Sequence, residues 1–415
     1  MSTIEYVASG CAFWRLNHGC LDRQPDILDI LNEHHKLLNK KNHTFSLLYN
    51  AYTEKKFGEK FRRCYKNIDK IHADSGGLQA ITTGVKTDDK FKQEVYENQG
   101  KWADIGMSFD EVPVFSNDGS GTSDKLGHAT RYFDKELFED YATKSANNLK
   151  KQIETFLDAG SECKPFFIAQ GRDYETYMRW AEIASDILGD LKQHVGGIAM
   201  GGLALGIGPL EEIERAFLYR DLPFEIPHKA VHILACGSFK KIAPTLLFLE
   251  SGFYPENTHF SYDSTTHTSK PNYGNYTHSN GKTFILSRKM NEKYEVAVED
   301  INKTLGTNID VKEFFEGVNL GTEEYKNKYG NYGTIQYISM WITAQILQFK
   351  NIVDEYVETQ DLSIFIKKDS EIQIYEKLKE IKNKDDFYHW KKHYGRYLQS
   401  IAVADQKPAS FQDLI

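Results

Sequence analysis

The sequence predicts an α/β fold, a closed (β/α)8 TIM barrel, and three observations predict it. Short apolar runs recur along the chain and end in polar or glycine-rich turns. Stretches with apolar residues at helical spacing lie between them. Strands alternating with helices pair in parallel through right-handed crossovers, and the number of units here favours closing a ring. An open doubly wound sheet is the alternative arrangement of the same units.

Taken in order, residues 1–43 read as an N-terminal extension packed on the barrel. Residues 44–290 form the barrel core, and 291–415 form a mostly helical C-terminal region that completes and extends it. The expected strands are Thr44–Tyr52, Ile71–Ser75, Ala103–Asp110, Pro165–Gln170, Gly197–Leu203, Val231–Cys236 and His259–Asp263. The helices between them are Lys135–Ala159, Glu175–His194, Leu210–Tyr219 and Lys240–Ser251. Ser116–Arg131 is rich in Gly, Ser and Thr and reads as a loop over the site, with Tyr262–Lys282 a second long loop. Ile335–Glu358, Leu362–Lys384 and Asp386–Val403 carry helical spacing, the last two with heavy charge.

Hydrophobic content of 40% with 27% charged residues suits a globular chain. The net charge of −8 excludes a surface that binds polyanions all over, so a nucleic-acid site has to be local. The basic clusters are Lys60 to Arg63 with Lys66 and Lys70, Lys240-Lys241, and Lys391, Lys392 and Arg396. Each also reads as a solvated helix face. Five cysteines, odd in number and irregular in spacing, point to a reducing compartment. With no signal-peptide pattern in Met1–Tyr6 and no run long enough to span a bilayer, the expectation is a cytoplasmic protein without a membrane partner.

Side chains able to do chemistry gather at the ends of expected strands. Asp74-Ser75-Gly76-Gly77 puts a carboxylate, a hydroxyl and bare backbone on one turn. Asp110-Glu111, Gln170-Gly171, Gly201-Gly202 and Asp263 end later strands. In a barrel all these ends open onto one face. Read singly, Asp74 and Asp263 could be ordinary turn residues bonding their own backbone. Read together, they suit substitution at a glycosidic carbon, one carboxylate attacking while another moves the leaving group's proton. His259, His267 and His278 flank the last strand and could touch phosphate or lie on the surface.

Asp74-Ser-Gly-Gly-Leu-Gln79, Met107-Ser-Phe-Asp-Glu111, Ala169-Gln-Gly171, Gly201-Gly-Leu-Ala-Leu-Gly206 and Tyr262-Asp263 occur in a fixed order. That order and spacing resemble the tRNA-guanine transglycosylase family over roughly residues 44 to 290. The resemblance implies a (β/α)8 barrel that exchanges guanine for a 7-deazaguanine base. It implies Asp263 as the nucleophile on C1′ and Asp74 as the general acid/base. Asp110 and Gln170 would hold the edge of the base, the backbone around Gly202 and Leu203 would close the pocket, and Ser75 would support it.

The chain also departs from the family pattern. Leu78 stands where Tyr or Phe usually stacks on the base, and Arg172 stands where Gly is usual. Enzymes of the family that act on tRNA carry clustered cysteines and a histidine after the nucleophile to bind zinc. No cysteine follows Cys236 here, so that site cannot be built and neither metal nor cofactor is expected. The resemblance is therefore closest to the branch that inserts a preQ0-like base into DNA, found in bacteriophages and some bacteria, with a helper protein for duplex opening as a further partner. A tRNA-directed enzyme, or a silent nucleic-acid-binding subunit, is the alternative. Tyr273, Tyr276 and Trp102 are candidates to stack on an extruded base, although packing in the core is the more ordinary fate of Trp102.

Overall fold

The structure, a computed structural model, describes residues 3–9, 45–64, 68–77, 86–111, 114–115, 132–133, 138–171, 174–200, 230–234, 236–237, 239–264, 274–280, 283–286, 289–318, 323–366 and 368–405, with a few positions between 213 and 221. The barrel strands are β1 (Thr3–Ser9), β2 (Phe45–Asn50), β3 (Ile68–Asp74) and β4 (Ile105–Met107), then, after a two-stranded ribbon of β5 (Val114–Phe115) and β6 (Tyr132–Phe133), β7 (Lys164–Ala169), β8 (Gly197–Met200), β9 (Ala230–Ile233) and β10 (His259–Ser264). They follow one another around a closed barrel in chain order, and every neighbouring pair is parallel. This is the (β/α)8 fold that the alternation of runs predicts.

One boundary needs correction. The barrel does not start at residue 44: β1 lies within the supposed N-terminal extension and pairs with both β10 and β2. Its alternation explains why it escapes a search for apolar runs. Tyr6 turns outward against Tyr262 and Phe349, with ring centroids 5.5 and 4.9 Å away. Glu5 and Ser9 face polar partners on other strands. A strand whose inward side is polar does not read as core.

The helices covering the barrel include α1 (Lys55–Cys64), α2 (Asp89–Trp102), α3 (Phe138–Asp158), α4 (Tyr174–Leu188) and α5 (Phe239–Glu250). The segment after β10 contains a short hairpin, β11 (Asn275–Thr277) and β12 (Thr283–Ile285), where the sequence suggests only loop. Helices α6 (Glu292–Leu305), α7 (Val311–Val318), α8 (Glu323–Thr359), α9 (Asp369–Glu376) and α10 (Lys384–Asp405) follow. The buried Phe349 carried by α8 meets the outer side of β1 and β10. No helix among the described residues is long and apolar enough to cross a membrane.

Two buried glutamines fix where the strand ends lie. Gln99 of α2 donates through Nε2 to the carbonyls of Ala73 (3.1 Å) and Met107 (2.8 Å). Gln152 of α3 donates to Gln99 Oε1 at 2.7 Å and to Gly106 O at 3.2 Å. Strands β3 and β4 are thereby tied to one another and to two helices directly below Asp74 and Asp110. Buried carbonyls without such partners would destabilise the fold by about 1–3 kcal/mol each.

Candidate active site

Asp74 is the last residue of β3, and Ser75 and Gly76 behind it are held in a tight turn. Gly76 has φ +80, and a Cβ there would stand 2.8 Å from Asn50 Oδ1. At Gly77 a Cβ would lie 3.1 Å from Asp110 O and 3.2 Å from Asp110 Oδ1. The glycine pair is what lets the two acidic turns approach one another. The Ser75 hydroxyl is buried and accepts from the Gly77 N–H at 3.3 Å, a supporting contact within the turn.

The Asp74 carboxyl is pushed up to about 7, first by burial and then by the fields of Asp110 and Asp263. Backbone N–H groups of Gly76 and Ser75 act in the opposite direction without cancelling this. A carboxyl of that affinity can both give and take a proton near neutrality. Asp74 feels the charges of both Asp110 and Asp263, and all three stand at the C-terminal ends of barrel strands.

Asp110 is buried beyond the end of β4 and accepts a 2.5 Å hydrogen bond from Gln170 Nε2, just beyond β7. Burial raises the Asp110 carboxyl to about 6, opposed by that bond. Because Gln170 spends an N–H on Asp110, its own carbonyl and the spare lone pairs of Asp110 remain as acceptors side by side. The flanking segment is pinned: Asn148 donates to Phe109 O at 3.0 Å, and the Glu111 N–H donates to Ser145 Oγ at 2.8 Å. Glu111 itself pairs with Lys92 at 2.8 Å, which occupies it outside the turn.

Asp263 on β10 is buried, and both carboxylate oxygens are engaged. Ser9 Oγ donates to Oδ2 at 2.7 Å, and His232 Nε2 of β9 lies 3.3 Å from Oδ1. His232 Nδ1 is 2.8 Å from Ser261 Oγ, two residues before Asp263 on the same strand. The His72 ring, below Asp74 on β3, lies 5.2 Å from the His232 ring. Ser9, His72 and His232 were all missed by motif reading. A single His inside the apolar run Val231–Cys236 resembles a core residue, and only the closed barrel shows its partner.

Compared with known proteins, the chain matches no family model and no curated sequence. Site and fold therefore stand on their own geometry. Of the other residues read from the sequence, Gly202, Leu203, Leu78, Arg172, His267 and Tyr273 lie outside the described residues.

Three residues do not reach the mouth, and for Trp102 packing elsewhere is its more ordinary reading. Tyr276 is fully buried and donates to Asp300 Oδ2 at 2.8 Å, so it packs beneath the hairpin and cannot stack on a base. Trp102 ends α2, on the side from which the strands start, away from the mouth. His259 begins β10 at that same far end, where Thr3 and Glu5 bond its ring at 2.7 and 2.9 Å. Of the basic clusters, Arg62 pairs with Asp104, and Lys70 with Glu5 at 3.4 Å. A cavity of about 900 Å³ opens among these far-end residues and contains none of the candidate site residues.

Proposed function

We propose that this chain is a base-exchange transglycosylase that replaces guanine in DNA with a preQ0-like 7-deazaguanine through a covalent aspartyl–nucleotide intermediate. The observation that carries the reading is the unequal surroundings of two carboxyls at the strand ends of one barrel. Asp74 is a half-buried acid raised to about 7, whereas Asp263 is gripped by a hydroxyl and an imidazole. Paired titratable groups in such different surroundings take different roles. The ordered motifs from Asp74 to Asp263 supply the chemistry's identity.

In the first displacement an Asp263 oxygen bonds to C1′ as the C1′–N9 bond breaks. The bonding electrons leave with guanine, and Asp74 supplies the proton that neutralises it. In the second, the incoming base gives a proton to Asp74 and its nitrogen attacks C1′, releasing the Asp263 carboxylate. Two inversions retain the configuration at the sugar. Asp110 and Gln170 present acceptors that suit the N–H groups of a guanine edge, which a 7-deazaguanine shares. DNA is favoured over tRNA because no thiolates follow the nucleophile to bind the zinc that tRNA-directed relatives of the motif set carry. A guanine in a duplex has to leave the stack to reach such a mouth, at a cost of a few kcal/mol.

The test offers guanine-containing DNA and tRNA separately with preQ0, followed by digestion and identification of the nucleosides. Modified DNA with an Asp263→Ala variant that neither exchanges base nor forms an adduct is expected. Modified tRNA with untouched DNA would reassign the substrate, and an unimpaired variant would remove Asp263 from the mechanism.

A further inference from the structure

Beneath the two reacting carboxyls one side of the barrel interior is polar, whereas Ile105, Met107, Phe166, Ile168 and Ala199 fill the other side in the ordinary apolar way. Glu5 and Ser9 come from β1, Lys70 and His72 from β3, His232 from β9, and His259, Ser261 and Asp263 from β10. We infer that His232 and Ser9 act as a clamp that positions Asp263, with His232 donating from Nε2 and held in that tautomer by the Ser261 hydroxyl. This rests on the base-exchange reading, since it gives the nucleophile of that reaction its orientation.

The proton placement follows from counting donors. An ionised carboxylate offers only acceptors, so the hydrogen shared by Asp263 Oδ1 and His232 Nε2 belongs to the imidazole. A neutral imidazole carries one N–H, so Nδ1 is then bare. Ser261 Oγ, 2.8 Å away, has to supply the hydrogen there, leaving its longer 3.4 Å alternative to Val231 O. The opposite tautomer would aim a lone pair at the carboxylate.

A second imidazole lies beside this one. His72 packs against His232 with both nitrogens buried and without partners, and its burial together with His232 holds it well below the usual histidine range. Lys70, Glu5 and His259 lie farther down, where Glu5 is bonded by His259.

The consequence is geometric. With a donor at each oxygen, the carboxylate is held against turning about its Cβ–Cγ bond. After the first displacement the ester retains both donors, which receive the negative charge when Asp263 leaves again. No proton is transferred to or from His232. It is a positioning residue, and misplacement of a reacting atom by ~1 Å from such a change costs about 10²-fold.

The experiment follows adduct formation in single turnover with labelled guanine-containing DNA, using wild type, His232→Phe, His232→Gln and Ser9→Ala. Phe fills the ring's volume without a donor, whereas Gln places an amide N–H near the Nε2 position. Expected are adduct rates reduced about 10- to 100-fold in H232F, with binding of the DNA unchanged, and recovery to within about threefold in H232Q. S9A, which removes the other arm, should slow the same step, and it carries the test if H232F does not fold. Equal rates in wild type, H232F and S9A would overturn the clamp while leaving the reaction standing. Equal loss in H232F and H232Q, with lowered thermal stability in both, would reduce His232 to packing and overturn it too. A wild type that forms no adduct on either polynucleotide overturns the reaction, and the clamp with it.

Discussion

Replacing Asp74 with Asn should make the protein more stable and inactive at once, and the structure sets the size of the gain. The carboxyl is raised from 3.8 to about 7, first by burial. At about 1.4 kcal/mol for each tenfold change in proton affinity, holding Asp74 ionised costs the folded chain about 4 kcal/mol. Partial exposure screens this, and an Asn oxygen keeps the turn's backbone N–H bonds only in part, so about 2–4 kcal/mol is the expected gain. The sign follows from proton counting. Between 3.8 and about 7 the folded chain holds a proton that the unfolded chain has released, so wild-type stability falls as pH rises through that window and levels off above it. Urea denaturation of both proteins near pH 5 and near pH 8 measures the difference, most of which should appear at the higher pH. A variant no more stable than wild type near pH 8, or a gain that shrinks as pH rises, would refute the reasoning.

Release of guanine in a single turnover needs the protonated form of Asp74, so its rate should fall as pH rises through about 7, as quenched samples across a pH series would show. Gln99→Ala should destabilise the fold by about 2–4 kcal/mol by denaturant midpoint, because it strips the donor from two buried carbonyls and a partner from Gln152. Base exchange should survive prolonged treatment with a strong chelator, and loss of exchange restored by zinc alone would contradict the reading of the cysteine pattern.

The fold was legible in the sequence because most barrel strands are buried on both sides and appear as continuous apolar runs. Strand β1 was not, since Glu5 and Ser9 break its run for reasons visible only when β10 lies alongside. The same limit divides the site. Asp74, Asp110, Gln170 and Asp263 announce themselves by standing at strand ends in a recognisable order. Ser9 and His232 have no local signature, because what gives them meaning is a neighbour far along the chain. Tyr276 shows the converse error: an aromatic near a motif in sequence is packed wherever its own element carries it.

The hydrogen bond from Ser9 to Asp263 spans 254 residues of sequence. It joins the first strand of the ring with its last, so the contact forms only when the barrel closes. Long-range closures of this kind come late and slowly in folding. A partly folded chain could therefore display a complete Asp74 turn and a paired Asp110 and Gln170 while its nucleophile still swings free. On the base-exchange reading, reactivity would then be withheld from folding intermediates and switched on by the final seam.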